Sequence, residues 1–171
     1  MFDKFGEFDS CEEINRAAAA QLKEGDKDAI FALAQENGID KEDAQDYADG
    51  CLDELTTPLL AALGKLSVEA EDLQLSGIML DWKGMVVEQC MVVEELPAAV
   101  RRKGKSLQGF MASVIRFSFE NSRQVSDKII KATKVTHNGK EQPFRGPLYM
   151  GFPNRKQVKK MILEYYLGDK P

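Results

Sequence analysis

The hydrophobic residues of this chain recur at intervals of three and four over most of its length, which is the period of an amphipathic helix. Residues suited to accept the free N–H groups of a helix N-terminus divide this pattern into segments. In chain order, these capping candidates are Ser10, Asp26, Asp40, Thr57, Ser76, Ser106, Ser126 and Asn154. The pattern predicts a mainly α fold, a compact bundle of about seven or eight helices.

Long apolar stripes define several of these predicted helices. The third helix covers residues 40–55, because its apolar residues keep helical spacing throughout. The segment after Pro58 is rich enough in leucine that we expect it to be buried, and its apolar residues are Leu59, Leu60, Leu63 and Leu66. Residues 67–75 form a polar helix or a connector. A long helix then covers about residues 77–95, and Pro97 interrupts it.

Residues 135–153 depart from the helical pattern. Three prolines and three glycines in this segment exclude a mostly helical backbone, so we expect a loop. Asn138 followed by Gly139 suits the tight turn of a small hairpin within it. The helix that begins after Asn154 is expected to end at Gly168.

The most basic short segment lies immediately before a strongly amphipathic helix. Four cations fall within five residues, namely Arg101, Arg102, Lys103 and Lys105. Gly104 breaks the run, and Ser106 is placed to cap the helix that follows. The apolar face of that helix includes Leu107, Phe110 and Val114. The sequence therefore predicts a cationic cluster attached to a packed helix.

Composition narrows the class of protein. The 171 residues suffice for a sizeable core in one domain or two small ones. With 30% charged residues, no run approaches the ~18 apolar residues of a membrane span. The acidic N-terminus has no basic segment followed by an apolar one, so we predict no export signal. Three widely spaced cysteines suit a reducing compartment, and we expect a cytoplasmic protein.

The net charge of −5 is distributed unevenly along the chain. Residues 1–96 hold 7 Lys and Arg against 23 Asp and Glu, a net charge of −16, whereas residues 97–171 hold 16 against 5, or +11. We therefore predict an acidic helical lobe, residues 1–96, and a basic helical lobe, residues 97–171. Such asymmetry indicates nucleic-acid contact or an acidic interaction surface, or else two lobes that attract one another.

Two candidate binding surfaces follow from this distribution. The basic candidate site consists of Arg101, Arg102, Lys103, Lys105, Ser106, Arg155, Lys156, Lys159 and Lys160. Further residues extend it: Lys128, Lys131, Lys134, Arg145, Phe144, Tyr149 and Phe152. Cations of this kind neutralise phosphates, and aromatic rings stack on unpaired bases. The acidic candidate site consists of Asp40, Glu42, Asp43, Asp46, Asp49, Asp53 and Glu54. Its carboxylates are dense enough to imitate a phosphate backbone. The alternative for each site is an ordinary solvated surface.

Motifs for catalysis or metal binding are incomplete. Gly104, Lys105 and Ser106 are similar to the end of a phosphate-binding loop, but Ala99 stands where the motif requires its first glycine. His137 is the single histidine and no CxxC pair occurs, so a zinc site lacks ligands. The three cysteines lie on or near apolar helical stripes, where we expect buried structural residues. We predict no enzyme activity, no metal site and no cofactor.

Two short motifs in the C-terminal half are similar to those of a known family. They are GKSLQG at residues 104–109, followed by an apolar helix, and EYYLG at residues 164–168. Both resemble PcfK-like proteins of bacterial conjugative elements, a group from which inhibitors of the Cas9 nuclease have been named. The resemblance implies a mobile-element protein in the bacterial host cell that blocks a type II CRISPR effector by binding, without catalysis.

The resulting hypothesis is a small helical anti-CRISPR protein that binds Cas9 or the Cas9–guide RNA complex. Its acidic lobe would engage a basic nucleic-acid channel of the effector, and its basic lobe would contact RNA or DNA. A competing hypothesis is a DNA- or RNA-binding accessory protein of a conjugative or phage-like mobile element, acting through residues 101–105 and 155–160. A third is a structural or regulatory scaffold whose lobes pair with each other or with another copy.

Overall fold

The computed structural model describes residues 4–168 and has a mainly α fold, which confirms the predicted class. Its described part contains nine helices: α1 (Cys11–Glu24), α2 (Lys27–Glu36), α3 (Lys41–Ala48), α4 (Pro58–Asp72), α5 (Ile78–Cys90), α6 (Leu96–Arg101), α7 (Leu107–Glu120), α8 (Asp127–Ala132) and α9 (Arg155–Leu167). The strands are β1 (Arg123–Gln124), β2 (Lys134–His137), β3 (Lys140–Pro143) and β4 (Tyr149–Met150). Residues 1–3 and 169–171, the ends of the two predicted lobes, lie outside the described part.

Most of the predicted caps are confirmed. Six side chains accept a backbone N–H from the first turn of the following helix: Ser10, Asp26, Asp40, Thr57, Ser106 and Asn154. Two predicted caps differ. Gly77, rather than Ser76, is the N-cap of α5, and Ser126 precedes α8 without a side-chain bond to it. Local sequence therefore determined where most helices begin, since a cap needs only residues within one turn.

Two predicted helix bounds are wrong, and one segment predicted to be buried is partly exposed. The third helix stops at Ala48 because Gly50 adopts a φ of 78°, so the stripe over residues 51–55 belongs to a loop. Residues 67–72 are helical, which is one of the two predicted alternatives, and they continue the fourth helix to Asp72. Leu60 on that helix is exposed rather than buried. The long helix predicted over about residues 77–95 ends at Cys90, so Pro97 does not interrupt it. Pro97 lies instead in the first turn of the separate helix α6, where proline is favoured.

The buried apolar residues form two clusters that meet at α4. The smaller cluster joins α1, α2 and α3 to Ala61 of α4, whereas the larger begins at Ala62 and includes α5, α6, α7 and α9. The charge boundary at residue 96 therefore crosses the larger cluster, because α4 and α5 pack against the helices of the basic half. Hydrophobic packing and charge divide the chain at different places.

Residues 121–153, here called the arm, form one excursion between α7 and α9. β1 and β4 pair antiparallel at its base, with Arg123 opposite Met150. Beyond α8, β2 and β3 form a hairpin whose turn residues Asn138 and Gly139 have φ values of 51° and 72°. Positive φ at both turn residues is the geometry that an Asn-Gly pair favours, and the predicted hairpin is confirmed. The short β1–β4 pairing was not predicted.

Candidate interaction surfaces

The predicted cationic cluster at residues 101–105 separates into inward and outward side chains. Arg102 and Lys103 are exposed, whereas the side chain of Arg101 is 1% exposed and donates from Nη2 to Asn37 Oδ1. The prediction that Arg101 belongs to an exposed basic surface is therefore wrong. Its position at the end of α6 directs it to the junction of the two hydrophobic clusters, which sequence spacing alone did not reveal.

A second buried cation, Lys65 of α4, fixes the backbone of the same loop. Lys65 Nζ donates to the carbonyl oxygens of Arg102 at 3.1 Å and Lys105 at 2.8 Å, and it pairs with Glu7 at 2.7 Å. One turn later, Glu69 accepts a hydrogen bond from the Leu107 N–H at 2.7 Å. Burial raises the pKa of Glu69, and the Leu107 bond opposes that shift. This polar network fixes the backbone of residues 101–107 against α4.

Lys105 and Ser106 connect the start of α7 to the end of α9. Lys105 Nζ donates to Tyr165 O at 2.7 Å and to Gly168 O at 3.0 Å, so its charge lies against the C-terminal carbonyls of α9. Ser106 Oγ accepts the Gly109 N–H at 3.1 Å, and the Ser106 N–H donates to the Tyr165 hydroxyl at 3.1 Å. Both predicted site residues are thus engaged in holding two helix ends together.

The two segments on which the expected family resemblance rests, residues 104–109 and 164–168, meet at this junction. Residues 104–109 supply Lys105, Ser106 and Gly109, and residues 164–168 supply the carbonyls and the ring that they contact. A side chain at Gly109 would collide with the Tyr165 hydroxyl, so the second glycine of the motif permits the close approach. The residues of these two segments therefore have a packing role in this chain.

The predicted cations of α9 lie at the opposite end of that helix. Arg155 donates to Glu88 of α5 at 2.6 Å, and Lys159 approaches the same carboxylate at 4.0 Å. Lys160 pairs with Glu164 at 3.3 Å, whereas Lys156 is exposed and has no ion pair with a described residue. A helix of 13 residues is about 20 Å long. Residues 102–103 and 155–160 therefore form two separate basic patches.

The acidic candidate site forms one contiguous segment on α3 and the loop after it. Its residues are exposed except for Asp43, which is partly buried. Asp40 caps α3 by accepting the Glu42 N–H at 2.8 Å. Asp49 accepts hydrogen bonds from Lys27 and Gln45 at 2.6 Å each, and the bond from Lys27 lowers the pKa of its carboxyl. The carboxylates of Asp46, Asp53 and Glu54 remain available at the surface.

The acidic helices and the arm lie towards opposite ends of α7. The start of α7 adjoins the loop that contacts Asn37 and Glu7, whereas its end leads into the arm. The 14 residues of α7 span about 21 Å. Between described residues, the exposed ion pairs that join the two halves are those of Glu88 with Arg155 and Lys159. Most of the acidic and basic surface is thus open rather than paired across the molecule.

The arm contains exposed residues that sequence analysis missed. Among residues 121–152, all of them described, Ile130 has the only buried side chain. Phe144 is partly buried, whereas Tyr149 and Phe152 are exposed as a binding surface requires. Phe119 beside the arm is 76% exposed, and Met150 is also exposed. The available signal was the Gly- and Pro-rich composition, which indicated a segment without a core of its own.

The cysteines differ in their surroundings. Cys11 and Cys90 are buried, and burial raises the pKa of each thiol to about 11. Cys51 is exposed, contrary to the prediction, because α3 ends before it. No group of three or more His, Cys, Asp or Glu within residues 4–168 is arranged to hold a metal ion. None of the helices in that range is long and apolar enough to span a membrane.

Comparisons of this chain with protein-family models, curated proteins and solved structures found no match.

Proposed function

We propose that this protein is an anti-CRISPR protein that binds a Cas9-type effector, or its complex with guide RNA, and thereby inhibits it. The observation that carries the proposal is the presence of two open surfaces of opposite charge: the acidic candidate site lies towards the start of α7, and the cations of the first half of α9 and of the arm lie towards its end. A Cas9-type effector holds its RNA–DNA heteroduplex in a positively charged channel. An acidic surface of folded helices complements that channel, and charge complementarity promotes both encounter and specificity.

The acidic candidate site is the part we assign to the effector. Asp46, Asp53 and Glu54 extend from α3 into the following loop, and their carboxylates are directed to solvent. Charges in this arrangement compete with a phosphate backbone for a cationic groove without needing a reaction step. The sequence resemblance of residues 104–109 and 164–168 to PcfK-like proteins points to the same function, and in this chain those residues form the junction that holds α7 against α9.

The test is cleavage of target DNA by purified Cas9 and guide RNA in the presence of excess protein. We expect inhibition, and we expect it to weaken in the triple variant Asp46→Asn, Asp53→Asn, Glu54→Gln. The matched control replaces exposed cations of the same region, Lys23→Gln with Lys41→Gln, and should inhibit at least as well as the unaltered protein. Asp40 and Asp49 are left unchanged because they cap α3 and bind Lys27. Unchanged cleavage with excess protein would refute the proposal.

A second candidate function is a nucleic-acid-binding accessory protein of a mobile element. The exposure of Arg102, Lys103 and Lys156 favours it, since exposed cations that form no ion pair with a carboxylate of residues 4–168 can neutralise phosphates. Gel shifts of labelled DNA and RNA at two salt concentrations test it. Direct phosphate binding should weaken steeply with salt, and the variant Arg102→Gln, Lys103→Gln, Lys156→Gln should bind less tightly at low salt. Affinity that is independent of salt would exclude this function.

A further inference from the structure

The base of the arm exposes several large aromatic side chains. Phe119 in the last turn of α7 is 76% exposed, Tyr149 of β4 is 58% exposed and Phe152 is 56% exposed. Gly151 brings β4 against α7, because a Cβ there would collide with Ser118 O and lie 2.7 Å from Ser122 N. The ring of Phe152 lies near that of Trp82, with 6.4 Å between the ring centroids and 53° between the ring planes. Aromatic side chains have only two χ angles, so a ligand that covers them costs little conformational entropy.

Cations alternate with these apolar residues through the whole arm. Residues 121–153 contain six Lys or Arg against two Asp or Glu. One of the two carboxylates, that of Glu141, is paired with Lys134 at 3.0 Å. Arg123 lies directly opposite Met150 in the β1–β4 pair. On the hairpin, Lys140 is the partner of His137, next to the turn.

The alternation indicates the chemistry of the partner. A protein interface usually has a continuous apolar centre surrounded by a polar rim. The arm instead mixes exposed rings with cations, as in proteins that bind single-stranded nucleic acid by stacking bases on rings and placing cations along the phosphates. A duplex conceals the base faces that such rings need. The net positive charge of the arm suits the polyanion, and not a neutral apolar groove.

We propose that the arm binds single-stranded nucleic acid. Bases stack on Tyr149, Phe152 and Phe119, and Arg123 and Lys140 contact the phosphates. This site is distinct from the predicted basic residues 101–105, which lie at the other end of α7. The inference deepens the proposed function, on which it rests in one respect: the protein works by binding macromolecules. It names single-stranded RNA or DNA as the class of ligand that the arm recognises. In a Cas9-type complex, the guide RNA and the displaced DNA strand belong to that class.

Fluorescence anisotropy of the full chain with a labelled oligothymidylate of about 20 nucleotides tests the proposal, with a duplex of equal length for comparison. We expect the single strand to bind more tightly than the duplex, and its affinity to fall between about 50 and 200 mM salt. Tyr149→Leu should weaken binding about 5-fold or more, because it keeps an apolar side chain but removes the ring. Tyr149→Phe should retain binding. Lys140→Gln should reduce affinity at low salt, whereas Lys41→Gln on the acidic surface should not.

Absence of binding, equal or tighter binding of the duplex, or full affinity in Tyr149→Leu would each overturn the inference. Parallel Cas9 cleavage assays separate it from the proposed function. If the oligonucleotide binds through the arm but cleavage is unaffected, the arm assignment stands and the anti-CRISPR proposal fails. If cleavage is inhibited without oligonucleotide binding, and arm variants abolish that inhibition, the arm docks on protein and the inference is wrong.

Discussion

Two buried cations near the junction of the hydrophobic clusters show how far a charged residue can depart from its expected place. Lys65 has a fully buried side chain, yet it lies near two carboxylates and donates to the carbonyls of residues 101, 102 and 105. Buried ionic groups are tolerated only when paired and hydrogen-bonded. This arrangement explains why a lysine in the middle of an apolar helix is compatible with the fold.

We therefore expect Lys65→Met to destabilise the protein, because it removes the cation that pairs with Glu7 and binds three backbone carbonyls, and it takes one of two neighbouring cations from Glu69. Removing one partner of a buried pair typically lowers the free energy of unfolding by about 3–5 kcal/mol. The control is Lys83→Met on α5, whose Nζ lies 3.4 Å from Ser67 Oγ at the surface. Its effect should stay within about 0.5 kcal/mol. Urea denaturation measures both, and a loss below about 1 kcal/mol for Lys65→Met would show that the network contributes little.

The thiols of the folded protein should differ sharply in reactivity. Burial raises the pKa of Cys11 and Cys90 to about 11, so at pH 8 about one thiol in a thousand is ionised at each. Cys11 Sγ also donates to Thr56 O at 3.3 Å. An aromatic disulfide reagent at pH 8 should therefore titrate one thiol per native chain, that of the exposed Cys51. Cys51→Ser should abolish the rapid reaction, whereas Cys11→Ser and Cys90→Ser should not.

The same pKa shifts determine the sign of a pH effect on stability. A thiol whose folded pKa is raised stabilises the fold fully below its unfolded pKa of about 8.5, and this contribution is lost as pH rises through about 11. The unfolding free energy should therefore decline between about pH 9 and 11. If Cys11 or Cys90 of the folded Cys51→Ser protein reacted rapidly with the disulfide reagent, this would contradict the burial on which both expectations depend.

At the scale of elements, a glycine pair sets how closely α4 approaches the turn between α2 and α3. A Cβ on Gly64 would collide with Asn37 O and lie 2.9 Å from Gly38 O, while Gly38 itself has a φ of 66°. We expect Gly64→Ala to lower the free energy of unfolding by about 1–3 kcal/mol, the usual cost of overpacking. Gly84 on α5 is a matched control because no atom lies within 4 Å of its added Cβ.

Gly84→Ala should instead raise the free energy of unfolding, by about 0.5–1 kcal/mol, because alanine favours the helix. Opposite signs for the same substitution in two helices would identify the close approach as the cause. Thermal or urea denaturation of both variants provides the measurement. A stabilising Gly64→Ala would mean that the turn moves away from α4 at no cost.

Element types and starts were largely predictable because they depend on neighbours in sequence. Asn154 and Ser106 cap helices in the predicted manner, and the Asn138–Gly139 turn follows from φ preferences alone. Burial was less predictable. Nothing in the spacing of residues 101–105 distinguishes Arg101, which points to Asn37, from Arg102, which faces solvent, because that difference arises from how α6 packs on α4.

At the scale of the whole molecule, the charge of each half could be counted from the sequence. Which charged side chains lie together in the fold could not be predicted. The acidic candidate site is contiguous because its residues share one helix and loop. The basic candidate site is divided, because residues 102–103 belong to the loop whose Lys105 contacts the C-terminal end of α9, whereas residues 155–160 lie in the first half of that helix. Phe119 and Met150 could not be recognised as surface residues, since apolar residues are assigned to a core unless a structure shows otherwise.

The two hydrophobic clusters should nevertheless unfold together. Ala61 and Ala62 place α4 in both, and Lys65 and Arg101 add polar contacts between them. Trp82, the single tryptophan, is buried in the larger cluster, so its fluorescence reports that cluster during urea denaturation. Hydrogen exchange of amides in α1–α3 reports the smaller one. We expect one transition with the same midpoint for both.

Gly64→Ala tests this coupling most directly, because the substitution lies where α4 meets the smaller cluster. If the clusters are cooperative, it should lower the midpoint of Trp82 fluorescence as much as that of exchange in α1–α3, although Trp82 belongs to the other cluster. Exchange of α1–α3 through an opening that leaves Trp82 buried would show two independent units. In that case the acidic surface would be carried by helices able to unfold separately, and a partner could bind it without the basic half.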